Sequence, residues 1–396
     1  MKKFLALTMA ACMTLSLAAC GGSSSSAAAS TADSAAASTE ATSDAASAEN
    51  TAAGEITGIA QCCDVGTLDD ESFNQGCWEA VKAYGDANGI EYNYYLPAGE
   101  DASDEDRETL IRQAVNDGAN TIVCVGFLYG PALAWGATEY PDVHFIAIDV
   151  SGFDIDGENG TIPDNVFCVT FKEEQAGYLA GYAAVKDGFT KLGFLGGMAV
   201  PAVIRYGYGF VQGADAAAQE VGADVQMNYY YGGQFYGDEK ITAKMDGWYD
   251  GGTEVVFACG GGIWTSAAEA ALAHKSYVIG VDVDQHYLGE AYVADYGYNP
   301  FVTSAMKQLQ NATEAALAKF YAGEWETIGG KIETLDLSAG DFVGLPTAET
   351  SWCFKTFTVD EYNAVLEGIK SGAVVVSNAI DAAPAVDASV TVNYID

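Results

Sequence analysis

The chain is poor in cations and in metal-binding side chains. Lys and Arg number 17 against 55 Asp and Glu, a formal net charge of -38. Nucleic-acid polymers are bound by Lys and Arg clusters that neutralise phosphates; none is present, which excludes that class of partner. The acidic surplus suits a soluble, mutually repelling surface. The three histidines, His144, His274 and His286, lie far apart, and no Cys-x-x-Cys pair occurs, so no zinc site is expected. The sequence also lacks a Gly-Lys-Ser/Thr phosphate loop, a dinucleotide fingerprint, a Gly-x-Ser-x-Gly elbow and a His-Glu-x-x-His pair. Asp154 to Gly160 is acidic but fails the spacing of an EF-hand loop. Neither catalysis nor a cofactor is expected. No apolar run beyond residue 19 is long enough to span a bilayer.

What is present begins with a targeting signal. Met1-Lys2-Lys3 precedes an apolar run from Phe4 to Ala19, and Leu17-Ala18-Ala19-Cys20 is followed by Gly21-Gly22. This resembles a bacterial lipobox, so residues 1–20 read as a lipoprotein signal peptide with Cys20 as the lipidated residue. Residues 21–54 are almost entirely Ser, Ala, Thr, Gly, Glu and Asp, with no aromatic side chain to bury, and read as a disordered tether. Of nine cysteines, seven fall in the body, an odd number set mostly within apolar runs, which suggests buried thiols rather than a disulfide framework.

From residue 55 short apolar runs alternate with amphipathic segments: strands at 56–63, 92–96, 121–125, 144–148 and 165–171, then 191–195, 225–230, 254–258 and 277–281, with helices between most of them. Two such series predict an α/β protein of two doubly wound parallel-sheet lobes joined by hinge strands. The expected division is 55–165 plus 285–325 for the first lobe and 166–284 plus 326–396 for the second. Hinge crossings are expected near 164–170, 283–300 and 323–330. In such sheets ligands sit beyond the carboxyl ends of strands, so the loops there carry the site.

After the first strand the chain reads Asp64-Val65-Gly66-Thr67-Leu68-Asp69-Asp70-Glu71-Ser72-Phe73-Asn74-Gln75. Ser72-x-x-Gln75 has the form of a capping box, with Ser72 as helix N-cap. Phe73 then sits at the crevice, either as packing over the loop or as a platform for a flat ligand. Cys259-Gly260-Gly261-Gly262 offers bare backbone that a ligand can approach closely.

These motifs resemble the basic membrane protein family, the nucleoside-binding lipoproteins of ABC importers. The resemblance continues through Gly193-Phe194-Leu195-Gly196-Gly197-Met198, Gly209-Phe210-x-x-Gly213, Gly280-Val281-Asp282-x-Asp284-Gln285, Thr303-Ser304-Ala305-Met306-Lys307 and Val343-Gly344-Leu345-Pro346, in the family's order from 55 to about 375. It implies a type I periplasmic-binding-protein fold and a monomeric receptor for a purine nucleoside, anchored by lipid at the extracytoplasmic face and served by a permease and an ATPase. It further implies that Phe73 and Phe235 sandwich the base and that Asp64 and Asn74 lie beside it. Asp282 and Lys307 would hold the ribose, with Lys307 in the first turn of a helix from Thr303 to Tyr321, and Gly261 would approach the ligand through its backbone.

Two departures from the family pattern bear on the pocket. Gly126-Phe127-Leu128-Tyr129-Gly130-Pro131 lacks the carboxylate usual after the third strand, and Tyr129 either substitutes for it or packs. Trp264 replaces a small residue and is expected to narrow the pocket or add a stacking surface. A sugar receptor on the same fold, or a ligand sensor for a surface signalling protein, would share many of these features.

Overall fold

The computed structural model describes residues 56–99 and 101–395, within a compact unit spanning Asn50–Asp396. The expected signal peptide, Cys20 and tether lie outside the described residues.

Thirteen strands form two sheets among the described residues. The first five are β1 (Ile59–Cys63), β2 (Tyr92–Tyr95), β3 (Thr121–Val125), β4 (His144–Ile148) and β5 (Val166–Phe171). They are followed by β6 (Lys191–Gly196), β7 (Val225–Tyr231), β8 (Val255–Cys259), β9 (Tyr277–Asp282) and β10 (Phe301–Lys307), and then by β11 (Lys331–Leu335), β12 (Val343–Gly344) and β13 (Val390–Ile395). One sheet has the order β11-β5-β4-β3-β1-β2 and the other β12-β10-β9-β8-β6-β7-β13. All pairs run parallel except β10 with β12. β1, β3 and β8 are buried at every position, as strands covered on both faces must be. The two doubly wound lobes expected from the β–α alternation are present.

Their boundaries differ from the expected division. β5 belongs to the first sheet, not the second, and β10 belongs to the second sheet, not the first. The chain therefore crosses near Lys172, near Gln308, and between Leu335 and Val343. The crossings lie side by side: the Lys172 amide donates to Leu335 O at 3.0 Å and the Gln308 amide to Phe342 O at 2.8 Å. The expected crossings at 283–300 and 323–330 are therefore displaced. So is the helix start: Phe301–Lys307 is a strand between β9 and β12, and the helix runs Leu309–Tyr321. Val302 and Thr303 suit a pleated, buried segment. That helix packs on the first lobe, where a Cβ on Gly76 would lie 3.1 Å from Leu309.

Helices Glu173–Lys186 and Pro201–Val221 cross at backbone contact in the second lobe. A Cβ on Gly177 would overlap Tyr206 O, and one on Gly213 would overlap Tyr178 O. Only glycine permits that approach, and it fixes Glu173, Glu174, Arg205 and Tyr206 at one end of the cleft. All seven cysteines described are free and six are buried.

Candidate functional site

Between the lobes lies a cavity of about 480 Å³. Seven of the eight expected ligand residues line it: Asp64, Phe73, Asn74, Phe235, Gly261, Asp282 and Lys307. Trp264 does not. Its indole Nε1 donates instead to Asp70 O at 3.3 Å, joining the second lobe to the first. Tyr129 does not substitute for the missing carboxylate either. It is fully buried, its hydroxyl directed at Cys63 O at 3.4 Å.

The loop after β1 is built by its own side chains. Asp70 accepts from the amides of Ser72 at 2.9 Å, Asn74 at 3.0 Å and Gln75 at 3.1 Å, and so caps the helix Phe73–Asn88. Ser72 holds the N-cap position without making a side-chain cap, so the expected capping box is not formed. The carboxylate two residues earlier takes the orphan amides, and the Ser72 hydroxyl is free to reach Asp282 Oδ2 at 2.6 Å. Asn74 spends both amide protons on Val65 O and Thr67 O, at 2.9 and 3.0 Å, while its buried Oδ1 has no partner. It can therefore offer a ligand only an acceptor. Asp64 accepts from the Leu128 amide at 3.3 Å and lies so close to Gly126, at φ 111°, that any Cβ there would overlap its carboxylate. Burial pushes the carboxyls of Asp64 and Asp70 up to about 7, against the backbone amides that hold them down.

Lys307 ends β10 and is the centre of the cavity's charge. Its ammonium is paired with Asp149 and lies 3.6 Å from Glu173 and 3.8 Å from Asp282. It stands 4.6 Å from the ring centre of Phe73, 5.4 Å from Phe171 and 5.8 Å from Tyr206. Burial works against its charge, but Asp149, Asp282 and Glu173 outweigh that and raise its pKa. Asp149 and Asp282, at the carboxyl ends of β4 and β9, both adopt positive φ, 59° and 65°. Carboxylates held in the left-handed region at strand ends are the kind of strain found at functional sites. Phe235 is seated on bare backbone: a Cβ on Gly197 would lie 2.5 Å from its ring and one on Gly260 3.0 Å.

The sequence reading missed Asp149, Glu174, Arg205 and Tyr206, all of which line the cavity, along with Asp154 and Asn378. Asp149 could have been found by the strand-end rule that found Asp282. A lone glutamate at a helix start or arginine in a helix's second turn carries no such signal. Among the described residues no group of His, Cys, Asp or Glu is arranged to hold a metal, and no helix is long and apolar enough to cross a membrane.

Comparison with known proteins places this geometry. The sequence profile of the Bmp family, ABC transporter substrate-binding proteins that are PnrA-like, matches residues 59–378. The chain belongs to the Bmp family. It is 30% identical over 293 residues to the ABC transporter nucleoside-binding protein BmpA of Lactococcus lactis, covering 70% of this chain and 78% of that one. A solute-binding protein of an ABC transporter system from Aeropyrum pernix superposes with a TM-score of 0.63 at 22% identity, over 80% of this chain and 86% of that one. Another from Conexibacter woesei gives 0.61 at 25% identity, over 81% and 99%. This Bmp protein is thus an ABC-transporter substrate-binding protein of type I periplasmic-binding fold, and not an enzyme.

Proposed function

We propose that this Bmp protein captures a nucleoside, with a purine as the preferred base, and delivers it to the permease and ATPase of an ABC importer. The observation that carries the reading is the pairing of Phe73 from the first lobe with Phe235 from the second on one cavity that also holds Asp282 and Lys307. An aromatic face from each lobe suits a flat base, and stacking is worth roughly 1–3 kcal/mol per base. Asp64 and the free Oδ1 of Asn74 are acceptors for the base edge. A carboxylate beside an ammonium suits the vicinal hydroxyls of ribose. The relative from Lactococcus lactis is named for nucleoside binding, which agrees. The protein would act at the extracytoplasmic face, tethered through a lipid on Cys20.

Calorimetry against a panel of nucleosides, with sugars and amino acids as controls, tests the ligand. Nucleosides should bind with affinity on the order of micromolar or tighter. Silence from every nucleoside beside a clear sugar response would point to a sugar receptor instead. Mass spectrometry of the native N-terminal peptide should find a diacylglyceryl group on Cys20.

A further inference from the structure

The stretch that follows helix Val359–Lys370 has no part in the scheme above. Residues 371–389 form neither helix nor strand, and β13 then joins the edge of the second sheet. Runs beyond about 12–15 residues without secondary structure are uncommon in compact domains and belong to lids and binding loops. Ordering such a run is costly unless something fastens it. Among the described residues its long-range hydrogen bonds all go to the second lobe. Gln212 pairs with the Ser377 backbone in both directions, accepting at 2.8 Å and donating at 2.9 Å. The Asp387 amide donates to Asp215 Oδ1 at 2.8 Å, and β13 pairs with β7 from Val390 to Ile395. Gln212 and Asp215 both lie on helix Pro201–Val221.

Between these anchors the stretch reaches the cavity, which Asn378 and Ile380 line. The first lobe brings two apolar side chains to the same cavity, Phe153 and Ile332. Ile380 is 37% exposed, Ile332 44% and Phe153 66%. One exposed apolar residue means little. Three on one cavity, drawn from both lobes, form a rim with apolar area left to bury when the mouth tightens. The match to the Bmp family ends at Asn378, so Ile380 and the Asp387 anchor lie beyond it.

We propose that residues 374–389 form a strap carried by the second lobe, and that Ile380 on it meets Phe153 and Ile332 across the cavity mouth and slows the ligand's exit. The strap acts on release rather than on selection, because its anchors are separate from the residues assigned to the ligand. The nucleoside reading supplies the probe and is what this assignment rests on.

The test uses the full chain loaded with whichever of tritiated adenosine, guanosine and uridine binds it most tightly. Release is timed after excess unlabelled nucleoside is added. Ile380→Ser should release about tenfold faster with little change in association rate. Gln212→Ala frees the strap at Ser377 without touching the cavity and should speed release by about threefold or more. Phe153→Ser should also speed release, and combining it with Ile380→Ser should add little, since residues in contact do not act independently. Val375→Ser changes an 84% exposed position of the strap that does not line the cavity, and should release at the unaltered rate. Unchanged release in both Ile380→Ser and Gln212→Ala overturns the strap and leaves the nucleoside reading intact. So does release from Val375→Ser as fast as from Ile380→Ser, which would mean a general loosening of the tail. Factors that multiply in the double variant overturn the meeting of Ile380 with Phe153. A protein that binds none of the three nucleosides overturns the nucleoside reading and this assignment with it.

Discussion

Ser72 and Asp282, 210 residues apart, are joined across the cleft by a 2.6 Å hydrogen bond from Ser72 Oγ to Asp282 Oδ2. The loop around Ser72 meets the second lobe at three further points. Trp264 Nε1 donates to Asp70 O at 3.3 Å, Gln285 Nε2 donates to Glu71 O at 2.8 Å, and the Tyr287 hydroxyl donates to the Glu71 carboxylate. The carboxylate assigned to the ligand's sugar is thus also part of the latch that holds the lobes together.

Two substitutions separate the latch from the fold. Ser72→Ala removes a hydrogen bond to a carboxylate, worth about 1.5–3 kcal/mol, that exists only with the lobes together. It should weaken ligand binding by that amount and leave the melting temperature of the ligand-free protein nearly unchanged. Asp70→Ala removes the cap shared by three amides and should destabilise the ligand-free protein by about 1–2 kcal/mol. Denaturant unfolding with parallel titration calorimetry checks both. A large stability loss in Ser72→Ala would mean that its bond to Asp282 also holds the lobes together in the ligand-free protein.

The pH dependence follows from the buried carboxyls. Asp64, Asp70 and Glu174 titrate near 7 in the folded protein, because burial disfavours their charge, against about 4 when unfolded. Between about pH 4 and about pH 7 the folded chain holds protons that the unfolded chain has released, so stability falls as pH rises through that window. Asp336 works the other way. Lys172, Ser338 and Ala339 hold it down to about 2, so its contribution is present above about pH 4 and is lost as pH falls through about 2. The ligand-free protein should therefore melt higher near pH 5 than near pH 8. Asp64→Asn and Glu174→Gln should flatten the decline. A melting temperature that climbs from pH 5 to pH 8 would contradict the direction of these shifts.

Gly197 supports Phe235, and the consequence is measurable. A Cβ there would lie 2.5 Å from the Phe235 ring, which must then move toward the cavity. Gly197→Ala should cost ligand affinity by roughly the value of one stacked face, about 1–3 kcal/mol. The displaced ring can shift into cavity space, so stability should fall less than affinity. Equal losses in the two would place the strain in the core.

The strand-end rule made much of this site legible. Asp64, Asp282 and the glycines after β8 follow apolar runs that can only be buried strands, and Phe73 opens the next helix. Lys307 was reached through its motif with the wrong local structure, because Thr303 to Tyr321 reads as one Ala-rich helical stretch. Only the pairing of Phe301–Lys307 between β9 and β12 shows that the first part extends. β11 and β13 were invisible for a related reason. Their side chains are largely exposed, so no apolar run marks them, and the sheet rather than the pattern holds them. Glu174 was hidden because an acid at a helix start is favoured by the dipole whatever else it does.

The last prediction divides the cavity into a base side and a sugar side. If Phe73 and Phe235 stack on the base while Asp282 and Lys307 hold the ribose, their variants should fail on different ligands. Phe73→Ala should weaken nucleoside and free base alike, because both present the same ring. Asp282→Ala should weaken nucleoside binding far more than free-base binding, since only the nucleoside carries the diol. The lost contact is charged and buried, which makes the penalty about 1.5–3 kcal/mol or more. Lys307→Met keeps most of the stem and should follow the Asp282 pattern. It leaves Asp149, Glu173 and Asp282 without their shared cation, so its stability must be measured beside its affinity. Calorimetric titration of each variant with a nucleoside and its free base gives the ratio that decides. Equal losses for base and nucleoside in Asp282→Ala, with the melting temperature unchanged, would remove Asp282 from the sugar side and leave its bond to Ser72 as its role.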